Sequence, residues 1–312
     1  MRYFLLVLRN RAAIILLTAL APSVWGTTYY VTTEFLPPNR PLLAAVVRAL
    51  PAGLLLVAAT RQLPSGSWWW RSLVLGTLNI GAFFALIFVA AYRLPGGVAS
   101  TIGALQPLLV ALLSAGLLGD RLTLRTAATS LVGVLGVSLL VLRSTARLDL
   151  LGLLCALGST VVMAVGVVLS KRWQSPAPVL ATTGWQLVAG GLVLLPVALL
   201  VEGPPPAHLS AANLLGYGYL SLIGAALAYT LWFSGIRDLP PTNVTFLVLL
   251  SPVVATAVGW LALGQALTPT QMLGDVLILG ALLVAQLRRA PAPPPTPDLR
   301  PAPEPRLTPT RP

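Results

Sequence analysis

The chain has 312 residues, 56% of them hydrophobic and 9% charged, where a soluble domain carries about 25% charged residues. Apolar runs of near-membrane length recur from end to end, which excludes an ordinary soluble domain and defines an all-α polytopic membrane protein. The net charge of +12 reflects a scarcity of acids, 8 in all, with the arginines scattered between apolar runs; nucleic acid is therefore excluded as a partner. The lone Cys155 excludes a disulfide or thiol–metal framework within one chain.

Ten transmembrane helices are expected, at 12–32, 41–59, 72–92, 95–118, 125–142, 150–170, 179–201, 213–235, 240–263 and 269–287. Each has about the 17–25 residues that a helix needs to cross a bilayer, and no other open structure pairs its backbone amides in hydrocarbon. Before the first span stand Arg9 and Arg11, and Ala19-Leu20-Ala21 has the form of a signal-peptide cleavage site. Pro22 follows at once and the apolar stretch continues to Val31, so the segment reads as a retained helix. The expected organisation is a cytoplasmic N-terminus (1–11), a first repeat of five helices (12–145), a second (146–288) and a Pro-rich cytoplasmic tail (289–312). The tail is polar and without periodicity, hence expected to be disordered.

Arginine and lysine set the orientation. With the N-terminus inside, fifteen basic residues fall on the cytoplasmic side, from Arg2, Arg9 and Arg11 to Arg288 and Arg289 and the tail, with Lys171 the single lysine. Four fall outside: Arg40, Arg93, Arg143 and Arg147. Both termini are therefore expected in the cytoplasm, and an odd number of spans per half inverts the second half.

The two halves repeat one another. Residues 94–123 recur without a gap as 239–268, 145 positions later, with eight identities that include Pro95/Pro240, Pro107/Pro252, Gly119/Gly264 and Thr123/Thr268. A 138-residue offset relates the earlier spans, laying Trp25 on Met163 and setting Arg48 against Gln186. Inverted repeats mark alternating-access transporters, and interrupted helices at matching positions point to the substrate site. Pro107 and Pro252 are the hinge candidates, since an internal proline removes an amide donor and bends the helix; proline serving only helix packing is the competing reading.

Arg48 lies seven residues past Pro41, roughly 10 Å along the helix at 1.5 Å per residue. A charge at that depth either faces a pathway, here as an anchor for an anionic group such as a carboxylate, or snorkels to the interface towards Glu34. Asp275 is the acid furthest inside a late span, a candidate proton-coupling carboxylate or an interfacial residue. Substrate-cavity candidates are Trp25, Tyr29, Arg48, Asn79, Phe83, Gln106, Gln186, Tyr229, Trp232, Asn243 and Ser251, because small-molecule sites combine apolar walls with a few placed polar groups. Interhelical contacts and interfacial belts use the same residue types, and Trp68-Trp69-Trp70 beside Arg71 reads as belt. Gly224 and Ala228 form a small-xxx-small pair for close packing. No phosphate loop, HExxH or GxSxG occurs, and the spans hold no His/Ser or paired-acid constellation. No catalytic residue, metal or cofactor is expected.

The sequence Ala21-Pro22-Ser23-Val24-Trp25-Gly26, Arg48, and the two repeat exits Leu118-Gly119-Asp120-x-Leu122-Thr123 and Leu263-Gly264-Gln265-x-Leu267-Thr268 together resemble the EamA-type transporters of the drug/metabolite transporter superfamily. The resemblance spans about residues 10–288. It implies a ten-helix inner-membrane carrier whose first four helices in each half surround a central cavity, and Trp25, Arg48, Pro107, Gln186 and Pro252 match the family pattern. The chain departs from that pattern at Asp120 and Gln265, where the exit usually has glutamate. The resulting expectation is a non-enzymatic secondary transporter, an exporter of small metabolites, amino acids or related compounds and also drugs. It would work in the lipid bilayer with H+ as candidate coupling ion, as monomer or homodimer. The alternatives are an uptake permease of the same fold and, further off, a membrane enzyme or receptor.

Overall fold

A computed structural model describes residues 11–93, 102–141, 149–206, 208–264 and 268–287; residues 1–10 of the expected N-terminal segment and the whole of the expected tail lie outside these. The described residues are helical throughout, without a strand. The first half comprises α1 (Arg11–Gly26, resumed after Thr27 as Thr28–Phe35), α2 (Pro41–Thr60), α3 (Trp68–Gly76, a π-helical turn Thr77–Ala82, then Phe83–Arg93), α4 (Gln106–Leu118) and α5 (Leu124–Val141). The second comprises α6 (Leu150–Arg172), α7 (Val179–Glu202), α8 (Ala211–Ser221, a π-helical turn Leu222–Leu227, then Ala228–Asp238), α9 (Pro241–Phe246, a 3₁₀ turn Leu247–Leu249, then Leu250–Leu263) and α10 (Pro269–Gln286). Eight of these are long and apolar enough to cross a membrane, and α4 and α5 are shorter apolar helices. The protein is a multi-pass integral membrane protein.

Local chemistry sets the ends. Asp149 caps α6 by accepting from Gly152 N at 2.7 Å, and Ser210 and Thr268 open α8 and α10 with capping boxes. Glu202, at the end of α7, caps a different helix: its two oxygens accept from Leu42 N (2.6 Å) and Leu43 N (2.9 Å) at the start of α2, where a negative charge meets the unpaired amides and the positive helix pole. Gly119 and Gly264 close α4 and α9 at φ 75° and 62°, the left-handed conformation that glycine adopts freely.

The breaks expected near the two prolines are present in both copies. Residues 104 and 105 form a turn just before Pro107, and the 3₁₀ turn Leu247–Leu249 stands three residues before Pro252. A second matched irregularity was not legible in the sequence. The π-helical turns Thr77–Ala82 and Leu222–Leu227 are the same length and 145 residues apart, the offset of the repeat itself.

The halves interlock reciprocally: α1 packs on α8 and α9, α6 packs on α3 and α4, α2 lies along α7, and α5 along α10. At the α2–α7 contact a Cβ on Gly53 would stand 2.6 Å from Val188 N, and one on Gly191 2.9 Å from Leu50 Cβ. Gly53/Gly191 and Leu50/Val188 are both related by 138 residues, so this contact lies on the axis relating the halves. The main core joins Ala49, Leu187, Ala225, Tyr229 and Trp232, while the leucines of the outer faces are exposed, as lipid-facing surfaces are. The tryptophan triplet divides: Trp69 and Trp70 are 59% and 49% exposed, but Trp68 is buried at 9% against Trp185. Helical phase accounts for the correction, since one of three consecutive residues turns inward while its neighbours face outward.

Candidate substrate site

Arg48 projects from α2 into the core and is 8% exposed. Its Nη2 donates to the Gly224 carbonyl at 2.9 Å, and its guanidinium carbon stands 5.3 Å from the centre of the Phe84 ring. Nε has no partner. The electrostatic neighbours are the phenols of Tyr229 and Tyr219, and no described carboxylate lies within 4 Å of the guanidinium. The side chain is therefore buried and makes no ion pair with Glu34.

Gly224 is the meeting point of the site. Its carbonyl lies within the π-helical turn of α8, where the α-helical pairing is broken and the oxygen is turned to other donors. Besides Arg48 it accepts from Trp25 Nε1 at 3.1 Å. The Trp25 ring lies 5.0 Å from Tyr229 and 5.3 Å from Trp232. The structure thus brings Trp25, Arg48, Tyr229 and Trp232 together, a cation at the edge of an aromatic wall.

The other half answers with a neutral counterpart. Asn79 lies in the π-helical turn of α3, 145 residues from Gly224, and is wholly buried. Its Nδ2 donates to Gln186 Oε1 at 2.9 Å and to Ser170 Oγ at 3.1 Å. Gln186 stands where α2 carries Arg48, so each half sends one polar side chain to the π-helical turn of the other. Oδ1 of Asn79 has no partner and rests against Gly166, where a Cβ would overlap it. A small cavity of about 50 Å³ beside this cluster is bounded by Ser170, Gln186 and Trp173.

The remaining candidates fall elsewhere. Phe83 packs at the margin of the main core beside Phe84. Gln106 and Ser251 occupy matching positions in α4 and α9; Gln106 is buried with Nε2 unpartnered, and the Ser251 carbonyl is where a Cβ on Gly26 would strike. Asn243 is apart from the centre, donating to the Ala285 carbonyl at 3.0 Å and so tying α9 to α10. The Tyr29 side chain and Gln265 lie outside the described residues. Gly224 and Ser170 are partners that the sequence did not single out: a backbone carbonyl has no residue-type signal, and a serine in a span is common enough not to stand out.

An open hollow, or mouth, lies among the helix ends on either side. A cavity of about 610 Å³ is lined by Asn39, Arg40, Arg93 and Glu202, and one of about 590 Å³ by Asp120, Lys171, Arg172 and Asp238. Both lie in the size range of small-molecule pockets. Among the described residues no cluster of His, Cys, Asp or Glu has the makings of a metal site.

Duplicated, interlocked helix sets that meet around buried polar side chains are the build of a multi-pass membrane transporter. The chain belongs to the EamA-like transporter family, matching it over residues 12–142 and 150–286. It is 48% identical over 268 residues to Protein PecM of Dickeya dadantii (strain 3937), across 85% of this chain and 90% of that protein. It is 28% identical over 287 residues to a protein of Salmonella typhimurium described as a probable amino-acid metabolite efflux pump, across 86% and 93% of the two. A chain of known crystal structure, 23% identical, shares the fold with a TM-score of 0.75 over 89% of this chain and 97% of that one.

Proposed function

We propose that the protein is a secondary transporter that moves a small metabolite, an amino acid or related compound, outward across the cytoplasmic membrane by alternating access. In this reading all ten helices cross the bilayer, the halves are inverted, and both termini and the Lys171 mouth face the cytoplasm. The observation that carries it is Arg48: a buried guanidinium at the junction of the halves, held by one backbone carbonyl and ion-paired with no carboxylate among the described residues. A charge taken out of water without a counter-charge is costly, and within a membrane it marks a substrate or ion path. An anionic group on the substrate supplies the missing charge, with two of the five guanidinium N–H donors suited to a carboxylate. Trp25, Tyr229 and Trp232 contribute the apolar wall. Substrate class and outward direction are supported by the relationship to the Salmonella protein, and H+ remains the candidate coupling ion.

Counterflow in proteoliposomes with a broad panel of amino acids and organic acids tests this reading. Saturable exchange is expected from the wild type, lost in Arg48→Gln for anionic compounds and weakened in Arg48→Lys, which keeps the charge but not the planar donor set. A wild-type protein that exchanges nothing on the panel overturns it.

A further inference from the structure

At the mouth remote from Lys171, Arg93 and Asp149 form an ion pair at 3.6 Å. Arg93 is the last residue of α3 and Asp149 the N-cap of α6, so the pair links a helix of the first half to one of the second. The repeat relation carries this pair to the opposite end. Arg93 maps by 145 residues onto Asp238, the last residue of α8; Asp149 maps by 138 onto Arg11, the first residue of α1. The 138 offset is the one that relates Gly53 to Gly191, and the two matched family segments begin at 12 and 150 with the same separation. The place of the pair is kept while both charges are reversed, so the two residues still attract.

They also stand at neighbouring places. A Cβ on Gly235 of α8 would collide with Thr18 of α1, and the two helices pack along one another. In the present structure, however, Asp238 is held by adjacent Arg237 through bonds of 2.8 and 3.0 Å, and Arg11 makes no ion pair among the described residues. Helix stability does not account for the charges. At the Arg93 end each charge suits its helix pole, a base at a C-terminus and an acid at an N-terminus. At the other end the acid closing α8 is adverse to its helix pole.

We propose that Arg11 and Asp238 are a gate pair that closes the cytoplasmic mouth when the Arg93–Asp149 pair at the outer mouth opens. This rests on the alternating-access reading. Inverted repeats exchange conformations between the two states, so a contact made by one half in this state is made by its counterpart in the other. Asp238, which lines the cytoplasmic mouth, then exchanges Arg237 for Arg11, drawing the cytoplasmic end of α1 onto the end of α8 at the edge of that mouth.

Crosslinking tests this without knowledge of the substrate. In a Cys155→Ser background of the full chain, Arg11→Cys with Asp238→Cys is treated in membranes with a short bifunctional maleimide. A second pair, Ala12→Cys with Arg237→Cys, reads the same approach with both gate charges in place. Crosslinking is expected in both, and in the second pair Arg93→Gln is expected to raise the yield roughly two- to fivefold, the population shift that releasing one exposed ion pair gives. Absence of crosslinking in either pair, while Arg93→Cys with Asp149→Cys crosslinks readily, overturns the gate, as does a yield indifferent to Arg93→Gln. An active carrier without the crosslink sinks the gate alone, whereas crosslinking in a protein that exchanges nothing sinks the transport reading.

Discussion

Gly224 matters for its carbonyl, the one oxygen that holds both Arg48 and Trp25. The two donors are not equivalent. Arg48 brings the charge, and Trp25 fixes the acceptor while contributing a ring to the aromatic wall. Trp25→Phe keeps most of the ring and removes the N–H. The net worth of such a bond is about 1 kcal/mol, and every 1.4 kcal/mol is tenfold in affinity, so the substrate concentration at half-maximal exchange is expected to rise by roughly fivefold. Maximal exchange stays near wild type, because the guanidinium is still present. Counterflow kinetics decide it: an unchanged half-saturation would mean that the indole N–H has no part in holding the site. Both side chains stand out in the sequence by type, an arginine deep in one span and a tryptophan within another. The sequence left open whether Arg48 snorkels, since that depends on what the neighbouring helices offer, and a backbone oxygen exposed by a π-helical turn is invisible in composition.

The elements repeat more faithfully than the residues do. Matched π-helical turns in α3 and α8 and matched breaks before Pro107 and Pro252 were open to different degrees of foresight. The breaks were legible because proline lacks an amide hydrogen and clashes with the preceding turn whatever its context. The π-helical turns depend on how α3 meets α7 and α8 meets α2, which no local pattern records. If the prolines are hinges, Pro107→Ala and Pro252→Ala restore a helical hydrogen bond, straighten each helix and stiffen the gate without disturbing Arg48. Each single variant is expected to slow exchange severalfold at unchanged half-saturation. The double variant should slow it further, while the melting temperature in detergent holds or rises. Wild-type rates in the double variant would reduce both prolines to packing features.

For the whole molecule the controlling quantity is orientation, because Arg48 is not central. It lies seven residues into α2 from the end bearing Glu202, roughly 10 Å of helix, while α2 runs on for a further twelve residues to Thr60. If the Glu202 end is outermost, the arrangement that puts fifteen basic residues inside against four outside, the proposed anion site sits nearer the external mouth. A bound metabolite then has the shorter path outward, which suits an exporter. Reversed orientation would set the same guanidinium near the cytoplasm and exchange the assignments of the two mouths. Truncated fusions to alkaline phosphatase and to a green fluorescent reporter separate these cases. Fusions after Arg61 and after Gln286 are expected to fluoresce and lack phosphatase activity, and a phosphatase fusion after Gly203 is expected to be active. The opposite pattern at all three sites would invert the protein in the bilayer, and with it the direction in which Arg48 favours release.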